Sequence, residues 1–207
     1  AGCASMVLLH GQAVQAGGFG YADLERGTKF RTDTLCRLFC MTKSFVAVAF
    51  MSLVDEGRIG LEERLDRYLP EFSEMYIKGT RARAERPILM KHLLSHTSGI
   101  DYAVDIDMEP EDEAAVRYLA LQAAVQRGFV RTLKDFCEGL AKLPLSCQPG
   151  QGYHYGFSLD VLGRVLEVLL GKGLDECLRE RVFEPLEMQD THWAVPDSQL
   201  HRLAGLY

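Results

Sequence analysis

The sequence predicts an α+β fold in which an antiparallel hairpin precedes a long helical series. Three observations carry this. Apolar, small-residue arms at 5–9 and 13–20 flank His10-Gly11-Gln12, as two strands flank a tight turn. Apolar residues recur at helical intervals over 114–126, 133–143 and 161–169. The chain has 207 residues, 47% of them hydrophobic and 25% charged, which are globular values and enough chain for one large core.

In chain order, the second hairpin arm is rich in glycine and alanine, which predicts close approach of another backbone. Residues 21–33 are polar, and Thr32-Asp33-Thr34 supplies side chains that turn or cap the backbone before an apolar run over 44–54. That run is apolar nearly all round and too short to span a bilayer, so it reads as a central buried helix, with Gly57 as its stop. Asp55 and Glu56 at its end oppose the helix dipole. A helix over 61–68 is expected to close at Pro70. The basic stretch 78–86 reads as a solvated surface loop. A short helix starts after Pro87, and Ser95-His96-Thr97-Ser98-Gly99 reads as its structural end, with Gly99 as the stop and hydroxyls serving loose backbone groups. Residues 101–113 hold seven carboxylates without a calcium-loop pattern, as in an acidic lid or solvated loop. Prolines 144 and 149 with Gly150 make a rigid loop before Tyr153-His154-Tyr155. A last helix is expected over 174–183, meeting Pro185, before an irregular tail.

The chemistry centres on Cys40-Met41-Thr42-Lys43. On a helix, positions three apart share a face, and the start of a helix presents outward backbone N–H groups. A thiol, an amine and such donors are the parts of an acyl-transfer site: nucleophile, proton acceptor and oxyanion donors. A lysine just inside an apolar helix also needs a partner or a lowered pKa. Tyr155, after the rigid loop, is the candidate to take or relay the proton beside Lys43.

A net charge of −6 argues against general affinity for nucleic acid or an anionic membrane surface. No apolar stretch is long enough for a transmembrane helix, so a soluble protein is expected. The chain starts at Ala1, which is compatible with a processed leader. Six sparse cysteines without CxxC or Cys/His spacing read mostly as reduced core residues, which favours a cytoplasmic setting over a secreted one and implies no metal site. There is no Gly-rich phosphate loop, so no cofactor is expected.

Several motifs occur together in order. They are Cys40-x-x-Lys43, Asp55-Glu56-Gly57, Leu69-Pro70-Glu71-Phe72, the run from His92 through Ser98-Gly99, Pro149-Gly150 leading to Tyr155, Leu162-Gly163, and Glu184-Pro185-Leu186-Glu187-Met188. With them the chain resembles the serine β-lactamase-related hydrolases, which include class C β-lactamases, low-molecular-weight penicillin-binding proteins and esterases on the same scaffold. The resemblance implies a β-lactamase/transpeptidase-like fold, with helices packed on an antiparallel sheet and the active site in a cleft. It places the nucleophile at Cys40, where the family carries serine, the activating amine at Lys43 and the acid/base phenol at Tyr155. The substrate-holding third position of the tyrosine motif, commonly polar, falls on Phe157. It also implies C-terminal strands that would complete the sheet beyond Tyr207, and hence open edges and self-association for the hairpin. The chain is thus expected to be one domain, 1–207, with the hairpin at 5–20 and a mainly helical part at 35–190.

Two functions follow. The first is an esterase- or amidase-like hydrolase acylated at Cys40 by a small-molecule ester, amide or lactam. The second is a catalytically inactive relative, or a fragment, that serves as a binding or scaffold protein.

Overall fold

The computed structural model describes residues 2–80, 82–102 and 113–206. These form two compact units, one made of 1–41 with 187–207 and the other of 42–186.

In the first unit, strands β1 (Gly2–Leu9) and β2 (Gln12–Asp23) pair antiparallel from Gly2 opposite Gly20 to Leu9 opposite Gln12, with an irregularity at Val7/Leu8. The turn residues His10 and Gly11 both have positive φ, 49° and 79°, as a two-residue turn matched to strand twist requires. A short β3 (Thr28–Lys29) pairs with β2 beside Tyr21, over whose ring the Lys29 ammonium lies at 3.9 Å. The close approach expected of the small-residue arm is present: a Cβ on Gly18 would stand 2.2 Å from the Phe30 carbonyl oxygen. Arg202 ties the last segment to the first, donating to both Asp190 oxygens at 2.9 and 2.5 Å and to the Asp33 carbonyl at 2.9 Å. Leu35 and Leu203 form a parallel bridge alongside. Residues of β1 are exposed throughout, including Met6 and Leu8.

The second unit is helical, comprising α1 (Thr42–Asp55), α2 (Met90–Leu94), α3 (Glu113–Gln126), α4 (Leu133–Leu140), α5 (Ser158–Leu170) and α6 (Leu174–Leu178). Its most enclosed helix is α5 rather than α1. Helix α5 touches α1, α2, α4 and α6, and it buries Leu159, Val161, Leu162, Val165 and Leu166. Helix α1 buries one stripe, Val46, Ala49, Phe50 and Leu53, while Val48 on its other side is 51% exposed. The all-round apolar pattern therefore overstated the burial of α1, because the spacing of its buried residues is that of a single face.

Helix α1 ends as expected at Gly57, φ 70°. Of the two acids there, which oppose the dipole, Glu56 finds cations: it accepts from both terminal nitrogens of Arg181, and the Arg58 guanidinium lies 3.6 Å away. Pro70 corrects the sequence reading. No α-helix runs over 61–68; a single 3₁₀ turn, Leu65–Arg67, lies there, and Pro70 opens the next one, Pro70–Phe72. A proline's fixed φ and missing N–H suit the first position of a turn as well as they suit a stop. The last predicted helix is α6 continued by a π turn, Arg179–Phe183. Most of the acidic stretch 101–113 lies outside the described residues.

Candidate active site

Lys43 is the second residue of α1 and is half-buried. Its ammonium donates a 2.7 Å hydrogen bond to the Tyr102 hydroxyl and lies 5.0 Å from the centre of the Tyr155 ring. Two phenols, distant from each other in sequence, thus bracket one amine.

Backbone pairing brings them there. After α2, the segment from His96 to Tyr102 runs beside 146–156: the N–H of Gly150 bonds the Thr97 carbonyl, that of Ser146 the Gly99 carbonyl, and that of His154 the His96 carbonyl. Gly156 permits the closest approach, since a Cβ there would sit 2.5 Å from the Ile100 carbonyl oxygen and 2.7 Å from backbone atoms of Asp101. Asp101 fastens the turn, accepting from the Tyr102 N–H at 2.7 Å and the Ser146 hydroxyl at 2.8 Å. Beneath it, the buried hydroxyls of Ser98 and Ser158 pair at 2.8 Å, linking the turn to the start of α5.

His96 does more than end a helix. The turn expected at 95–99 is present, with Thr97 N–H bonded to the His92 carbonyl and the Ser95 hydroxyl to the Lys91 carbonyl. The imidazole, however, is buried, lies 4.7 Å from the Tyr155 ring, and accepts the Gly156 N–H at Nδ1. Accepting there requires the neutral ring with its proton on Nε2. Burial, and then the Lys43 charge, hold its pKa below the usual histidine value.

The phenols continue into an aromatic wall. Tyr102 meets Tyr155 edge-on at 5.5 Å and Phe157 at 4.4 Å, and Phe157 meets Phe136 at 5.0 Å. Phe157, the expected substrate-contacting residue, is therefore a packing member of this wall. For Lys43, burial disfavours the charge, but the hydrogen bond to Tyr102 and the charges of Tyr102, Asp160 and Tyr155 outweigh it, so its pKa lies above that of an ordinary lysine. Burial raises the Asp160 carboxyl, while the Lys43 charge pulls it partly back. The arrangement holds a protonated amine beside two phenols, so the ammonium can act as a charge and donor for a phenol that exchanges protons with a reacting group nearby.

Cys40 is exposed and lies in the 3₁₀ turn Phe39–Met41, where Phe39 has a positive φ of 46°. The α-helix starts at Thr42, so Cys40 and Lys43 do not share one α-helix; a change of helix type separates them. The structure thus brings Lys43, Tyr155 and Phe157 together, and Cys40 precedes the start of α1 by two residues in the chain.

Sequence reasoning missed Tyr102 and assigned His96 a purely structural part. The available signal was position: Tyr102 follows the Gly99 stop by three residues, on the strand of chain that must leave the turn. Among the described residues, no group of three His, Cys, Asp or Glu side chains is placed to hold a metal ion, and no helix is long and apolar enough to cross a membrane.

The family model described as Beta-lactamase matches residues 1–207. Esterase EstB of Burkholderia gladioli is 35% identical over 189 residues, which cover 91% of this chain and 46% of that protein. Lovastatin esterase of Penicillium rubens is 30% identical over 169 residues, covering 78% of this chain and 40% of the relative. Among solved structures, EstCE1, a hydrolase with promiscuous acyltransferase activity, superposes with a TM-score of 0.82 at 28% identity, covering the whole of this chain and 51% of its own. FmtA of Staphylococcus aureus shares the fold at a TM-score of 0.69 and 21% identity, covering 94% of this chain and 47% of its own. The chain spans about half the length of the relatives it matches.

Proposed function

The chain belongs to the Beta-lactamase family, in its esterase- and acyltransferase-like part, and on that premise we propose that it acts as an ester hydrolase acylated at Cys40. The observation that carries the proposal is the amine of Lys43 held between the phenols of Tyr102 and Tyr155. In the first step the Cys40 thiolate attacks the ester carbonyl carbon; a C–S bond forms, the C–O bond to the alcohol breaks, and the departing alkoxide takes a proton from Tyr155, which Lys43 supports. In the second, water attacks the thioester, its proton passes to Tyr155, and the C–S bond breaks to return the thiolate and release the acid. A thiol needs less activation than an alcohol, because it is already partly ionised near neutral pH.

Phe157 favours esters with apolar acyl groups over β-lactams. At the position where a polar side chain would hold a lactam amide stands a phenyl ring, packed nearly perpendicular to Tyr102 and Phe136 and without a hydrogen-bonding group. The names of the relatives, esterases and acyltransferases, support the same substrate class.

Hydrolysis of p-nitrophenyl butyrate by the chain and by Cys40→Ala and Cys40→Ser tests the proposal. Turnover that Cys40→Ala abolishes, with an acyl adduct on Cys40 in the intact mass, is the expected result. Activity in Cys40→Ser alone would overturn it in favour of an inactive relative that binds rather than hydrolyses.

A further inference from the structure

Beyond the expected nucleophile, amine and acid/base phenol, the site contains a second phenol with a contact of its own. We propose that Tyr102 is a positioning residue for Lys43, its hydroxyl anchoring the amine beside the ring of Tyr155. The geometry supports this at three points. The 2.7 Å bond from Lys43 Nζ to the Tyr102 oxygen is short and charge-assisted, and it links residues 59 apart in sequence. The Tyr102 ring is itself immobilised, edge-on to Phe157 and Tyr155, with its backbone N–H bonded to Asp101. The path that carries Tyr102 to the amine depends on the absence of a side chain at Gly156, next to Tyr155. One glycine therefore sets the spacing of both phenols.

The consequence for the reaction is a division of labour. An amine anchored by one phenol is a fixed donor and point charge beside the second phenol, the group that the proposed mechanism uses to exchange protons with the reacting group. The titratable groups whose charges act on Lys43 are Tyr102, Asp160 and Tyr155, and His96 stands neutral behind Tyr155. Of these, Tyr102 accepts a hydrogen bond from the amine at 2.7 Å. The inference rests on the proposed function for its catalytic meaning, whereas the anchoring itself is measurable without turnover.

The test is competitive labelling of lysines with trace acetic anhydride across pH, read by peptide mass spectrometry, on the full chain and on Tyr102→Phe. This variant keeps the ring packing and removes only the hydroxyl. The labelling midpoint of Lys43 should fall by about one pH unit, the scale of losing one partly exposed charge-assisted bond, while exposed Lys134 is unmoved. The alkaline limb of any ester hydrolysis should shift by the same amount. An unchanged Lys43 midpoint in a folded Tyr102→Phe would overturn the inference. If Tyr102→Phe does not fold, 3,5-difluorotyrosine at position 102 keeps the hydroxyl and makes it more acidic. It should move the Lys43 midpoint upward, and no movement would again overturn the anchoring. A midpoint that shifts in a protein showing no Cys40 adduct would sink the esterase proposal and leave the anchoring standing.

Discussion

Replacing Gly156 by alanine should separate the two phenols that flank Lys43. The new methyl would lie 2.5 Å from the Ile100 carbonyl oxygen and 2.7 Å from the Cα and carbonyl carbon of Asp101, whereas ordinary contact begins at 3.4 Å. These neighbours are backbone, so no side-chain rotation relieves the overlap, and the segments 100–102 and 155–157 must part by roughly an ångström in an interior packed as densely as a crystal. Overpacking of this kind costs about 1–3 kcal/mol. Displacing Tyr102 also weakens a hydrogen bond to a charged group, worth about 1.5–3 kcal/mol when intact and less here because Lys43 is only half-buried. Together they destabilise by roughly 2–4 kcal/mol, and at about 2–4 °C per kcal/mol for a chain of this size the melting temperature should drop by about 5–15 °C. Thermal unfolding followed by circular dichroism at pH 7 measures this, and the labelling midpoint of Lys43 should fall in the same variant. A Gly156→Ala protein that melts within 2 °C or so of the parent would refute the claim that this approach is tight, and with it the account of how Tyr102 reaches the amine.

Acidification should destabilise the helical unit through its histidines. Burial first, and then Lys91 for His92 and Lys43 for His96, hold both pKa values below that of a free imidazole. The unfolded chain therefore binds more protons as pH falls, so stability is full above about pH 6.5 and is lost as pH drops through the folded values. Urea unfolding at pH 7 and pH 5 should show the loss, and His96→Asn should reduce it; an equal loss in that variant would remove His96 from the account. Ser98→Ala should cost about 1–3 kcal/mol, because it strands the buried Ser158 hydroxyl and removes the acceptor of the Ile100 N–H. The double variant Ser98→Ala/Ser158→Ala should cost less than the two singles summed, measured as a double-mutant cycle in urea, and strict additivity would argue against a direct pair.

Local features of this protein are legible in its residues because near neighbours decide them. His10-Gly11 between apolar arms specifies a hairpin turn, Gly57 stops a helix, and the spacing of Val161, Leu162, Val165 and Leu166 marks the buried side of α5. The chemical types of Cys40, Lys43 and Tyr155 also suffice to suggest acyl transfer. Pro70 shows the limit at short range, since a proline can end one turn or begin another and only the packing of Leu65 and Phe72 selects which. Which helix lies at the centre was settled by packing as well: α1 is the more continuously apolar, yet α5 is the one surrounded by four others.

The sequence by itself determined the hairpin and most of the helices, and it suggested a thiol, an amine and one phenol as the parts of a site. Tertiary structure alone decided that the amine bonds Tyr102, that His96 supports Tyr155, and that Phe157 belongs to an aromatic wall. The physical reason is that a hydrogen bond across 59 residues leaves no periodic trace in the chain. It exists because two backbone segments pair and a missing side chain at Gly156 lets them close, and neither condition is local to the residues it brings together.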